Sequence, residues 1–204
     1  MIVTRTETVT SAKYRVEVDG EFAFVLYKKE LDRFGIRENE ELSEETYHRI
    51  KKEVVLKRAK LRAMHLLGDM DRTRAGLREK LRQNMYPEDV IDEVIAYVDS
   101  FGYLNDDRYA ENFVLSHKAQ KSRKELFALL NAKGISPEQA GRTMESCYGE
   151  DEEKETICRI LQKKKIDTQE SSEQEMQKIY GYLARKGFRY ETIRQVIQNN
   201  INNA

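Results

Sequence analysis

The chain has 204 residues, 35% of them charged, and its 36 Lys/Arg balance 36 Asp/Glu to a formal net charge of zero. Such a chain has no global field to recruit nucleic acid or a membrane surface, so any electrostatic preference is local. Two prolines and ten glycines are few, which disfavours a loop-rich all-β fold and favours helices. The opening MIVTRTETVT carries no apolar run of the signal-peptide kind, and no stretch approaches membrane-span length. Cys147 and Cys158 form no metal or redox motif. A cytoplasmic protein without a membrane partner is expected.

The first element is β. Residues 13–26, KYRVEVDGEFAFVL, alternate around Asp19-Gly20, a strong hairpin signal. A two-residue loop would put Tyr14, Val16 and Val18 opposite in face to Phe22, Phe24 and Leu26. A three-residue loop, Val18 to Gly20, pairs Val16 with Phe22 and Tyr14 with Phe24 on one face, with Gly20 left-handed. The apolar pattern selects the three-residue loop. Residues Ile2 to Val9 are expected to add a third strand, because an isolated hairpin is marginal.

From residue 43 the pattern is helical. Ser43 is placed to cap a long helix with Tyr47, Ile50, Val54 and Leu61 at helical spacing. A second helix follows Asp71 with Leu77 and Leu81. Pro87 opens a third, whose Val90, Ile91, Val94, Ile95 and Val98 form a buried stripe ending at Phe101-Gly102. This phrase then recurs: residues 77–95 align with 126–144 at an offset of 49 and with 179–197 at an offset of 102. Gly134 and Gly187 close the middle helix of the later copies; Met85 stands there in the first, so Asn84 is expected to supply the turn. Ser122–Glu125 and Ser136–Gln139 have capping-box spacing. The expected fold is mainly α: a tandem array of three three-helix, helix-turn-helix-like repeats behind a small β element. The boundaries read 1–42, 43–104, 105–149 and 150–204, and stacking neighbours complete thin individual cores.

The junction SFGYLNDDRYAENF (100–113) fits that frame. Gly102 stops one repeat, Asn105 or Asp106 caps the next helix, and Tyr103, Leu104, Tyr109 and Phe113 are placed to pack between repeats. Acid–base chemistry from Asp106 and Asp107 has no His or Lys nearby in sequence to support it. The phrases RTRAGLREKL, MYPEDVIDEVI and FGYLNDDRYAENFV resemble the RecX family, bacterial modulators of the RecA recombinase. The resemblance covers most of residues 44–200 and is most specific at GYLNDDRYA. It implies a non-enzymatic protein, without cofactor, that binds along the RecA–DNA filament and inhibits it. The connector KKKIDTQESSE in the third repeat departs most from the family pattern.

Charge is patterned along the chain. Residues 51–82 hold eleven Lys/Arg against four acids, and residues 83–111 carry an excess of seven acids. Arg74, Arg78 and Arg82 form a stripe at helical spacing, where like charges repel. An anionic partner would relieve that repulsion; an exposed face neutralised by Asp71 and Glu79 is the even alternative. With the family resemblance the candidate contacts to RecA or to DNA are Arg58, Arg62, Arg72, Arg74, Arg78 and Arg82, with Lys121, Arg123 and Lys124 in the second repeat. Further basic blocks lie at 159–165 and 178–189. The last helices of the first two repeats carry Glu88, Asp89, Asp92, Glu93, Glu138 and Glu145, so phosphates would repel them from a major groove. His48, His65 and His117 are isolated, no glycine-rich phosphate loop is present, and Cys147 reads as a core thiol. Tyr180, Tyr182 and Tyr190 read as core residues ahead of base-stacking ones. The leading reading is a monomeric regulator of the RecA filament. A helical-repeat protein binding single- or double-stranded DNA through its basic faces, without RecA, is the second.

Overall fold

The structure, a computed structural model, describes residues 1–166 and 171–202. It is mainly helical, with a small antiparallel sheet at the N-terminus. The chain divides into two compact units, Met1–Asn105 and Asp106–Ala204. Among the described residues no helix is long and apolar enough to cross a membrane.

In the first unit, β1 (Val3–Thr10), β2 (Lys13–Val18) and β3 (Glu21–Tyr27) pair antiparallel in that order. The expected hairpin register is wrong. Val18 faces Glu21 across a two-residue turn, with Asp19 at φ 51° and Gly20 at φ 86°. Both central residues are left-handed, as a type I′ turn requires, and this turn matches the natural strand twist. The apolar pattern is satisfied by another device. Glu17 faces Phe22 and Val16 faces Phe24, leaving Ala23 as a bulge residue. The bulge advances β3 by one position, so Val16 pairs with Phe24 and Tyr14 with Leu26. Val16, Phe24 and Leu26 are fully buried.

A short helix unmarked by the sequence reading, α1 (Lys28–Phe34), follows β3. Ser43 caps the next helix by accepting from the Thr46 N–H at 3.2 Å. That helix runs as α2 (Glu44–Ile50), a π-helical segment (Lys51–Leu56) and α3 (Lys57–Asp69). The π segment overturns one core assignment: Leu61 is 73% exposed. Wider turns rotate the face that follows, and the buried stripe passes to Val55, Leu56, Ala59, Ala63 and Leu66. Helices α4 (Arg74–Gln83) and α5 (Glu88–Ser100) complete the unit. Leu77, Leu81 and the α5 stripe pack with Val16, Phe24 and Ala59 into one core. Each fully buried Leu or Ile there contributes about 1.5–3 kcal/mol relative to exposure.

The second unit contains α6 (Asp106–His117), α7 (Arg123–Ala132), α8 (Pro137–Cys147), α9 (Glu150–Lys163), α10 (Glu173–Arg185) and α11 (Tyr190–Asn202). Helices α6–α8 enclose one core around Leu126, Leu130 and Met144; α9–α11 enclose another around Ile157, Leu183 and Ile193. Ser122 and Ser136 cap α7 and α8 as expected. The return arms of those capping boxes go elsewhere: Glu125 pairs with Lys121, and Gln139 donates to Asp107 at 2.6 Å. At the junction, Gly102 is left-handed at φ 69°. Leu104 is buried in the first unit's core, whereas Tyr109 and Phe113 lie against the α6–α8 core. Tyr103 is exposed and stacks on Phe101.

The turn inside each helical triplet has one shape. Gly134 and Gly187 adopt φ 83° and 91°, and the next residue's N–H returns to a carbonyl inside the helix, Ile135 to Leu130 and Phe188 to Leu183. In the first triplet Met85 itself is left-handed at φ 58°, and Tyr86 N–H returns to Leu81. Asn84 does not take that role; it stays at φ −87° and its side-chain amide donates to the Lys80 carbonyl. The turn geometry thus overrides the cost of a side chain in this region. Met85→Gly is expected to stabilise the protein by about 1 kcal/mol, the strain removed less the entropy added to the unfolded chain. Urea unfolding should show a higher midpoint at unchanged slope.

Candidate functional site

The arginine stripe is not bare. On α4, Arg74 pairs with Asp99, Arg78 with Asp92 and Glu88, and Arg82 with Glu88 and Glu79. Most of these acids stand on α5, the next helix. The hydrogen bond from Arg82 holds the Glu88 carboxyl below the usual carboxylate range. Repulsion along α4 is therefore relieved inside the fold, chiefly by Asp99, Asp92 and Glu88.

The other candidate arginines of the first unit also have internal contacts. Arg58 clamps Glu30 at 2.5–2.6 Å, donates to the Val25 carbonyl at 3.1 Å and lies over the Tyr27 ring. Arg72 donates to the Leu66 carbonyl at 3.1 Å. Arg62 is half-buried, with Nε shielded and without an acceptor among the described residues. Lys51 and Lys60 pair with Asp89 and Glu93 of α5.

Basic side chains gather differently in the second unit. Three blocks far apart in sequence converge: Lys121, Arg123 and Lys124 at the start of α7, Arg159 to Lys164 at the end of α9, and Arg185 to Arg189 between α10 and α11. A hinge of hydrogen bonds holds them. Ser122 Oγ accepts from Glu125 N–H and donates to the Lys186 carbonyl at 2.6 Å. Gly187 lies so close that a Cβ there would meet Lys124 Cβ at 2.9 Å and Ser122 Oγ at 3.0 Å. Thr156 Oγ1 donates to the Lys118 carbonyl at 2.6 Å, and the Tyr148 hydroxyl to that of Lys121 at 3.1 Å. Burial pushes the Tyr148 phenol up to about 12.

The third triplet is locked by a buried acid. Glu153, 2% exposed, accepts from the Arg189 N–H, Arg189 Nε and Thr192 Oγ1 at 2.7–3.1 Å. It thereby satisfies donors at the start of α11 and fixes that start against α9. The hydrogen bond to Glu153 raises the Arg189 guanidinium above its ordinary value.

The result is a cleft of about 850 Å³ lined by Lys121, Arg159, Lys163, Lys164 and Lys186, with Tyr182, Ile160 and the Ala119–Gln120 loop. Among the described residues no carboxylate lines it. Lys121 was among the expected contacts; Arg123 and Lys124 border adjoining hollows. The cations of α9 and α10 were visible as basic blocks, but no periodicity in the sequence joins 121 to 159 and 186. Tyr180 and Tyr182 are half-buried against the third core, while Tyr190 is 65% exposed.

Fold and charge together define a protein of three-helix domains with a basic cleft. Family models described as "RecX, first three-helix domain" and "RecX, third three-helix domain" match residues 59–97 and 150–197. A "Regulatory protein RecX" of Caldanaerobacter subterraneus subsp. tengcongensis is 32% identical over 97% of this chain and 98% of its own. That of Leuconostoc citreum is 28% identical over 95% of this chain and 74% of its own. A solved structure, "Crystal structure of regulatory protein RecX", shares the fold at a TM-score of 0.64 and 18% identity, covering 100% of this chain and 99% of that one. The chain belongs to the RecX family of regulatory proteins.

Two substitutions test the hinge, and a third serves as a control. Gly187→Ala is expected to cost about 2 kcal/mol or more, because left-handed strain adds to the contact with Lys124 and Ser122. Gly35→Ala, left-handed but in open space, should cost about 1 kcal/mol; equal losses in urea unfolding would remove the packing argument. Glu153→Ala is expected to cost about 3 kcal/mol, near the low end for a broken buried pair because Arg189 can reach water. Hydrogen exchange at the α11 N-terminus should rise before exchange elsewhere in the second unit.

Proposed function

We propose that this protein binds the RecA–DNA filament and lowers its ATPase, recombination and co-protease activities, acting as a regulator and not as a catalyst. Family membership along nearly the whole chain supports the reading. The observation that carries it is the convergence of three basic blocks on one seam of the second unit. A filament presents repeating acidic and phosphate groups, and a fixed cationic seam is the complementary surface. Lys121, Arg123 and Lys124 are the first contacts proposed. Arg74, Arg78 and Arg82 contribute by exchanging their α5 carboxylates for those of the partner, a trade with smaller net gain. Arg58, Arg62 and Arg72 serve to set the face that carries them. The second reading, nucleic-acid binding without RecA, rests on the same seam.

Binding to single-stranded DNA with and without RecA and a non-hydrolysable ATP analogue separates the two. Binding indifferent to RecA sinks the leading reading. Changing Lys121, Arg123 and Lys124 to Gln is expected to weaken filament binding about tenfold or more, whereas the Arg74, Arg78 and Arg82 to Gln protein loses less. If the seam contacts phosphates, its triple variant also flattens the salt dependence by roughly one counterion per contact removed. Equal losses from both triple variants would refute the assignment of the seam as the primary contact.

A further inference from the structure

We propose that the second-unit cleft is a binding site for a small oligophosphate, an anion with several consecutive phosphates such as inorganic tripolyphosphate or the triphosphate of a nucleotide. Five cations line it and, among the described residues, no carboxylate does. Glu125 pairs with Lys121 at 2.5 Å and Glu155 with Arg159 at 3.0 Å, both from outside the lining. Among the described residues Lys163, Lys164 and Lys186 make no ion pair. Two of these three stand over one ring: Lys164 Nζ lies 4.6 Å and Lys186 Nζ 5.7 Å from the Tyr182 centroid. Gathering like charges is unfavourable unless something negative stands between them, and the ring face only partly compensates.

The rival explanation is local. Lys164 and Lys186 follow the C-termini of α9 and α10, where the helix dipole favours cations. That accounts for those two lysines. It does not account for Lys121 and Arg159, which arrive from other positions, or for the lack of acids among the described lining residues of a chain that has equal numbers of each charge. Size and aromatic geometry favour a small ligand. About 850 Å³ falls within the range of small-molecule sites. Tyr182 already carries two ammonium groups, so it is not a stacking platform of the kind that single-stranded nucleic acid uses. Recognition is of phosphate density, with the base left outside.

The test is calorimetric titration of the full chain, without RecA, using sodium tripolyphosphate, ATP, AMP and a thymidine oligonucleotide. Because RecA is absent, failure here leaves the regulatory reading standing, and failure of that reading leaves this one. Tripolyphosphate and ATP are expected to bind with similar affinity and AMP about tenfold or more weaker, since charge-assisted contacts are lost with each phosphate. Lys163→Gln, Lys164→Gln and Lys186→Gln should each weaken tripolyphosphate binding several-fold. Replacing the exposed Lys28, Lys29 and Lys57 together by Gln should leave it unchanged. Tripolyphosphate affinity equal to that of AMP, or insensitive to the cleft lysines, overturns the proposal. So does an oligonucleotide that binds through those lysines when tripolyphosphate does not.

Discussion

The buried carboxylate of Glu153 is the constraint on which the second unit's surface depends. A charge at 2% exposure is tolerated only if its acceptor sites are filled. Here the Arg189 backbone and side chain and the Thr192 hydroxyl fill them. That requirement fixes the start of α11 against α9, and with it the turn that carries Lys186 and Gly187. Ser122 then ties the same turn to the start of α7. The cations of three separate blocks are thus held by a few hydrogen bonds that leave little freedom to drift apart. A binding surface on such a frame incurs its ordering cost during folding and not on association.

Much of the frame was legible in the sequence because it is periodic. The repeated phrase located α4–α5, α7–α8 and α10–α11, and the residues aligned at offsets of 49 and 102 include the buried Leu77, Leu126 and Ile179. What could not be read was where two local rules competed. In the hairpin, turn chemistry and apolar alternation demanded different loop lengths. The chain met both, by a type I′ turn at Asp19-Gly20 and a bulge at Ala23. In the long helix the apolar spacing through Ile50 pointed on to Leu61, and the π segment changed the phase between them. At Met85 the expectation followed side-chain preference, while the tertiary demand was for the same turn in every triplet.

Charge was legible in amount but not in arrangement. The excess of Lys/Arg in residues 51–82 and of acid in 83–111 showed basic and acidic segments following one another along the chain. Consecutive packed helices bring such segments together, and α4 and α5 neutralise each other pair by pair. Alternating blocks along a chain can therefore mark internal neighbours as readily as a patterned partner. Only the basic blocks that meet one another, and not an acidic block, leave charge for an external ligand.

This distinction sets the two units apart in chemistry. In the first, acids on α5 pair with the arginines of α4, so an anion must displace a carboxylate to reach those. Such an exchange gains only the difference between two ion pairs, and both are exposed to screening by salt. In the cleft Lys121 and Arg159 are each opposite one acid, Glu125 and Glu155, while Lys163, Lys164 and Lys186 make no ion pair among the described residues. At these three lysines an anion meets no described carboxylate to displace, and release of counterions favours binding. The same protein thus presents one cationic face whose every α4 arginine is paired and another in which three of five cations are not paired among the described residues.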